Sequence, residues 1–231
     1  DGDTIESYNP SNHTELLGRT VKASADMAKS AVEYANDRFQ NYWRKTDVGM
    51  RARILMRAAG LMRGKYRDEM NAYLILEAGK SWTEADADTA EAIDFCEFYA
   101  REAMKLQGEP QPLTDLPGED NNQYFIPLGT IAVIPPWNFP LAIMAGMTVA
   151  ALVTGNTVVL KPASVTPLVA ARFVEILEEA GLPEGVLQVL PGGPATGDAV
   201  VRHALVHMIS FTGSTAVGRS IGQVCGGLLK K

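Results

Sequence analysis

The sequence predicts an α/β fold: a parallel sheet with flanking helices, preceded by a helical N-terminal segment. Three observations carry that reading. Between Thr130 and Val224, short β-branched runs alternate four times with helix-length segments. Gly or Pro punctuates each unit, as expected of residues that stop helices and start turns. Consecutive β-α units close into a parallel sheet through right-handed crossovers.

The elements follow in order. Ser24 can cap a helix whose Met27, Ala28, Ala31, Val32, Ala35 and Phe39 share one face. A second helix runs from about Asp47 to Tyr66, with Ile54, Leu55, Ala58, Leu61 and Met62 inward. Met70, Tyr73, Leu74 and Glu77 mark a third, stopped near Gly79. Ser81-Trp82-Thr83-Glu84 has the form of a capping box. It opens a long helix through Ile93, Cys96, Tyr99 and Ala103 to about Met104. On this reading the chain is helical up to about Gln107. Residues 108–122 are rich in Pro, Gly, Asp and Asn, a turn-rich connection. Gln123 to Pro127 reads as a short hairpin or edge strand, because Pro127 cannot donate to a central ladder.

The repeating half then reads as strand Thr130–Ile134, helix Leu141–Val153 and strand Thr157–Leu160. Thr166-Pro167 supplies an N-cap and a proline at the first helical position, and Gly181 ends that helix. Strand Val186–Leu190, a short helix Ala195–Arg202 and strand Met208–Phe211 follow. Thr212-Gly213-Ser214 turns into a last helix reaching about Val224.

Bulk properties bound the function. A chain of 231 residues, 46% hydrophobic and 21% charged, builds a core without staples. A net charge of -6 argues against a nucleic-acid partner. Arg51, Arg53, Arg57 and Arg63 fall at helical spacing and read as a solvated face. Cys96 and Cys225 make neither a disulfide framework nor a metal spacing, which fits a reducing cytoplasm. The longest apolar run, Leu141 to Val153, is too short to span a bilayer. The acidic start Asp1-Gly2-Asp3-Thr4 is no signal peptide and, lacking Met, reads as a cut or processed terminus.

Ligands in open parallel sheets sit at the carboxyl ends of the strands, so four loops are candidates. Pro135-Pro136-Trp137-Asn138-Phe139-Pro140 holds an Asn amide that could donate to a developing oxyanion, or could simply bond its own turn. Lys161-Pro162-Ala163-Ser164 offers charge and donors to ribose or phosphate, although a lone lysine is more often just surface. Pro191-Gly192-Gly193-Pro194-Ala195-Thr196-Gly197 has glycines that permit close approach of backbone to ligand. Thr212-Gly213-Ser214 opens a helix and presents free N–H groups to a pyrophosphate. This is not the G-x-G-x-x-G fingerprint of a standard dinucleotide site. Taken together, the four loops point to a nucleotide or cofactor site of unassigned class.

Pro136-Trp137-Asn138-Phe139-Pro140, Gly155-Asn156-Thr157 leading to Lys161-Pro162, and Phe211-Thr212-Gly213-Ser214 with Gly218 resemble the aldehyde dehydrogenase superfamily in order and spacing. The resemblance implies one Rossmann-like cofactor-binding domain over 1–231. It divides into a helical segment 1–107, a hairpin contributing to an oligomerisation arm at 108–127 and a βα core from 128. Residue by residue, Asn138 matches the oxyanion-hole amide and Lys161 the lysine that holds the adenosine ribose. Gly213 and Ser214 match the turn near the pyrophosphate, with Val217 on the helix behind it. Ile134, Pro136 and Trp137 match cofactor contacts, and Gly193 falls by the adenine side. Ser164 stands where NAD-preferring members often carry Glu, so NAD is expected to work and NADP to be tolerated.

Glu91-Ala92-Ile93-Asp94-Phe95, Tyr99-Ala100-Arg101 and Ala142 to Met147 resemble the 1-pyrroline-5-carboxylate dehydrogenases within that family. The implied reaction is oxidation of glutamate semialdehyde to glutamate, with Glu91 and Phe139 near the aldehyde. Glu91 could equally be an ordinary helix carboxylate. The family's nucleophilic cysteine and general-base Glu match nothing up to Lys231, so the catalytic domain is expected to be absent and this chain alone inactive. It is also expected to expose apolar surface, and the full-length protein to be a homo-oligomer. Two alternatives stay open: a non-catalytic dinucleotide-binding or interaction module, and a dehydrogenase for another aldehyde such as succinate semialdehyde.

Overall fold

The computed structural model of the chain describes residues 3–108, 111–114 and 116–231. Asp1 and Gly2 of the acidic start, and Glu109, Pro110 and Asp115 of the turn-rich stretch, lie outside the described residues.

The first element corrects the sequence reading. The chain does not begin helical: β1 (Thr4–Asn9) and β2 (Asn12–Val21) form an antiparallel hairpin. Asn9 turns it, its side-chain Oδ1 accepting from the Ser11 N–H at 2.9 Å. Only Ser7 and Asn9 of these strands are buried. The apolar–polar alternation that betrays a half-buried strand is therefore missing.

Four helices follow: α1 (Ala25–Asn41), α2 (Val48–Arg63), α3 (Arg67–Ala78) and α4 (Trp82–Gln107). Ser24 and Asp47 cap the first two through the N–H groups of Met27 and Met50. The Ser81–Glu84 capping box opens α4 as expected. Gly79 ends α3 in the left-handed region, at φ 69°, where a side chain would be strained. Met27, placed on the inner face of α1 by its spacing, is exposed. The arm is shorter than its sequence suggests. β3 (Gln111–Pro112) pairs only with β4 (Asn122–Gln123), and 124–127 join no ladder.

Arg51 departs from the solvated face on which Arg53, Arg57 and Arg63 do lie. It is 5% exposed. Its Nε donates to Val153 O at 2.8 Å, one Nη to Gln107 Oε1 at 2.7 Å, and the other to Thr46 O. Burial lowers its pKa. Val153 is the last residue of α5, so the guanidinium meets the negative end of that helix dipole.

The second half builds the sheet: β5 (Thr130–Ile134), α5 (Ala142–Val153), β6 (Thr157–Leu160), α6 (Pro167–Glu179), β7 (Leu187–Val189), α7 (Pro194–Arg202), β8 (Val206–Phe211) and α8 (Thr215–Gly227). All pairings are parallel and the order is β7-β6-β5-β8. β7 is shorter, and β8 longer at its start, than the sequence reading. Side chains alternate across the sheet. Ile131 and Val133 join a large core with α2 to α6, whereas Ala132 and Val159 face Ala28, Val32 and Val200 of α1 and α7. Winding proceeds from β5 outward to β7, then returns to place β8 on the other side of β5. That reversal is the switch point at which such sheets open a ligand crevice. Among the described residues, no helix is long and apolar enough to cross a membrane.

Candidate functional site

Two adjoining cavities lie beyond the carboxyl ends of the strands. The first, about 720 Å³, sits at the switch point between β5 and β8. Pro136, Trp137, Asn138 and Phe139 line one side, and Thr212, Gly213, Ser214 and Val217 the other. The second, about 470 Å³, lies over β6 and α7 and is lined by Ile134, Lys161, Ser164, Gly193 and Val217 among others. Val217 and Ala163 border both. The structure thus gathers every site candidate except Glu91 around one continuous crevice. Glu91 is exposed on α4 and lines neither cavity.

The loop after β5 leaves Asn138 exposed. Among the described residues no protein group bonds its amide, so the self-bonded turn raised by the sequence is not what forms. An exposed, unpaired amide is available as a neutral donor at the mouth of the first cavity.

Ser214 is the N-cap of α8, its hydroxyl accepting from the Val217 N–H at 3.4 Å. The N–H groups of Thr215 and Ala216, in the first turn, have no intrahelical acceptor, which makes this end of the cavity favourable to an anion. Gly213 has a steric reason as well. A Cβ there would lie 2.7 Å from Phe211 Cζ, so the turn closes over that ring.

Lys161 reaches back across the second cavity. Its Nζ donates to Pro162 O and Gly192 O, both at 2.9 Å. Ser164 Oγ donates to the same Gly192 O at 3.1 Å. An ammonium has three donors, so one is left for a ligand. Burial pushes the Lys161 pKa down. A Cβ on Gly197 would lie 3.3 Å from Lys161 Cδ and Cε, so this glycine sets how closely α7 approaches the lysine stem. At Gly193 a Cβ would meet open space.

Neither thiol faces the crevice. Cys96 is fully buried in the helical core, and desolvation raises its pKa to about 12. Cys225 packs with Ile134 and Val201. Among the described residues no group of three or more His, Cys, Asp or Glu could hold a metal ion.

Comparison with known proteins bears on this arrangement. The aldehyde dehydrogenase family matches residues 1–231. The chain belongs to the aldehyde dehydrogenase family. A relative from Anoxybacillus flavithermus, named 1-pyrroline-5-carboxylate dehydrogenase, is 57% identical over 94% of this chain and 42% of its own length. One of the same name from Geobacillus kaustophilus is 55% identical over the same shares. The chain thus spans about 42% of these aldehyde dehydrogenases. Among solved structures, a Thermus 1-pyrroline-5-carboxylate dehydrogenase with bound NAD superposes at TM-score 0.94, with 43% identity over 98% of this chain and 44% of its own. Proline utilization A from Bdellovibrio bacteriovorus superposes at 0.94, with 40% identity over 97% of this chain and 23% of its own.

Several lining residues of this aldehyde dehydrogenase chain escape the sequence reading. Val201 on α7, and Ser220, Ile221 and Val224 on α8, line the second cavity. Their signal is present in the sequence. Val217, Ile221 and Val224 fall at i, i+4 and i+7, one helical stripe. A stripe reads as core until the neighbouring elements are known.

Proposed function

We propose that this chain holds the nicotinamide cofactor of an NAD(P)-dependent aldehyde dehydrogenase, and that the full-length protein oxidises glutamate semialdehyde, in equilibrium with 1-pyrroline-5-carboxylate, to glutamate. One observation carries the reading: the unpaired Asn138 amide faces the Gly213–Ser214 helix start across a single cavity, with the Lys161–Ser164 cavity continuing beside it. The residues fit an elongated dinucleotide. One cavity ends on a helix N-terminus and the other on a free lysine donor, and both have sizes usual for ligand sites. The names of the relatives and the NAD bound by the Thermus protein support the same choice.

Each residue then has a task. Lys161 and Ser164 would hold the adenosine ribose, and the first turn of α8 the pyrophosphate. Ile134, Pro136, Trp137 and Val217 would shape the channel. The nicotinamide, when bound, supplies the hydride acceptor. Asn138 donates its N–H to the aldehyde oxygen, where negative charge grows as the carbonyl is attacked. Phe139 would border the aldehyde, and Glu91, although it lines neither cavity, would lie on the substrate side. Neither Cys96 nor Cys225 is assigned as the attacking thiol, and this chain alone is expected to give no turnover. Tyr124 and Ile126, 66% and 79% exposed, suit an arm that docks in a homo-oligomer.

The direct test is steady-state oxidation of glutamate semialdehyde and succinate semialdehyde by the full-length protein, with NAD and with NADP. A higher kcat/KM for glutamate semialdehyde is expected. A clear preference for the other aldehyde, or no turnover, overturns the reading.

Two variants probe the cofactor side. Lys161→Met removes a charged hydrogen bond to ribose and is expected to raise the NAD Kd about 10-fold or more, since such bonds contribute roughly 1.5–3 kcal/mol. Calorimetric titration reads it, and an unchanged Kd removes Lys161 from the site. Ser164→Glu places a carboxylate where a 2′-phosphate would lie. It is expected to raise the ratio of NADP Kd to NAD Kd at least ~10-fold at low salt, by like-charge repulsion. A ratio that does not move puts the ribose elsewhere.

A further inference from the structure

The loop that carries Asn138 is held from behind by a buried ion pair. Gly79 turns the chain out of α3 and delivers Lys80 against α4, where its Nζ lies 2.8 Å from Asp88 Oδ2. The two side chains are 11% and 0% exposed. The contact is an ion pair without the alignment of a hydrogen bond, and among the described residues Asp88 Oδ2 has no hydrogen-bond partner. The other carboxylate oxygen, Oδ1, accepts from the Ala142 N–H at 2.6 Å. Ala142 is the first residue of α5, and its own N-cap, Leu141, has no side-chain acceptor. Asp88 therefore caps α5 from another helix. The Lys80 ammonium also lies 4.1 Å from the centroid of the Phe139 ring, within cation–π range.

These contacts converge on one short loop. Residues 135–140 are fixed at their start by β5 and at their end by α5, and Asp88 anchors that second end. Lys80 touches Phe139, the neighbour of Asn138, from the protein side. A buried carboxylate and ammonium are costly to desolvate unless each is partnered. Here the carboxylate meets a helix N-terminus and the ammonium a ring face. Neither group lines the two cavities.

We propose that Lys80 and Asp88 are positioning residues that hold the Trp137–Phe139 loop, and so aim the Asn138 amide at the reacting oxygen. The part concerning the reacting oxygen rests on the aldehyde dehydrogenase reading above. The holding of the loop does not.

The test uses the full-length protein with K80M, and with K80M/D88N as the variant that leaves no buried charge unpaired. In the double variant the amide oxygen introduced in place of the carboxylate can still accept from the Ala142 N–H. Three quantities are read: kcat per NAD-binding site, the NAD Kd, and hydrogen exchange of peptides spanning 135–142. Both variants are expected to lose about 10- to 100-fold in kcat, the scale of a misplaced catalytic group, with the NAD Kd unchanged and exchange of the loop faster. K80M is expected to melt lower than the wild type and the double variant to recover. A merely structural pair would instead restore kcat together with melting temperature in the double variant, and that result overturns the proposal. Unchanged exchange across 135–142 in both variants overturns it as well. If the unsubstituted protein shows no aldehyde oxidation, the activity reading fails by itself, and faster loop exchange in the variants still decides whether the pair holds the loop.

Discussion

Asn138→Ala is expected to lower kcat by about 10²–10³-fold, the usual cost of removing one oxyanion donor, while the NAD Kd stays unchanged. The separation follows from the layout. Asn138 stands at the mouth of the switch-point cavity, its amide free of partners among the described residues, whereas the ribose-binding candidates Lys161 and Ser164 lie in the second cavity over β6 and α7. Because the wild-type amide bonds nothing among the described residues, truncating it strands no buried group there. Melting temperature should therefore not move, and any loss of rate is a loss of transition-state stabilisation. Asn138→Asp is the sharper variant. It keeps the shape but places a carboxylate beside an oxygen that becomes negative, and it should be at least as slow as Ala. Rate measurements at saturating NAD and aldehyde check both. A kcat for Asn138→Ala close to wild type would remove the amide from the chemistry, and a fall in melting temperature would show that it has a packing role not visible in its contacts.

Much of this site is legible without any coordinates. Each strand end of a parallel sheet is a short, Gly- or Pro-marked loop, and that marking locates Asn138, Lys161, Gly193 and Gly213–Ser214. The strand order is not legible. The winding from β5 to β7 could have continued outward to β8, and only the reversal at β5 brings Gly213 opposite Asn138. The hairpin β1–β2 escapes a sequence reading because its buried positions, Ser7 and Asn9, are polar, so its strands carry no periodic apolar signal. Arg51 misleads for the opposite reason. Charge at helical spacing looks solvated, but carbonyls from α5 and from the turn before α2 accept from this one guanidinium. Such partners, 5 and 102 positions away in sequence, leave no local trace.

Glu77 shows the same blindness with a larger energetic consequence. Thr166-Pro167 reads as a self-sufficient helix start, and Thr166 is indeed the N-cap residue of α6, but its side chain makes no capping bond. Glu77, at the end of α3, does the capping instead. Its Oε1 accepts from the Leu168 N–H at 2.9 Å and from Ser7 Oγ at 2.8 Å, and its Oε2 accepts from the Val169 N–H at 2.9 Å. One carboxylate, 5% exposed, thus ties β1, α3 and α6 together. Glu77→Ala strands two backbone donors at roughly 1–3 kcal/mol each, so a loss of about 2–6 kcal/mol of folding stability is expected, readable by denaturant melts. The sign with pH is fixed too. Burial raises the Glu77 pKa, more than its three hydrogen bonds lower it. A raised folded pKa means that the fold holds this proton more tightly than the unfolded chain does. Its contribution is then complete below the ordinary carboxylate range and fades as pH rises through the folded value. Glu77→Gln cannot titrate, so its stability deficit relative to wild type should be larger at acid pH than at neutral pH. A deficit that instead grows as pH rises would mean that the helix N-terminus holds Glu77 ionised more strongly than burial opposes it, with its pKa below the usual range.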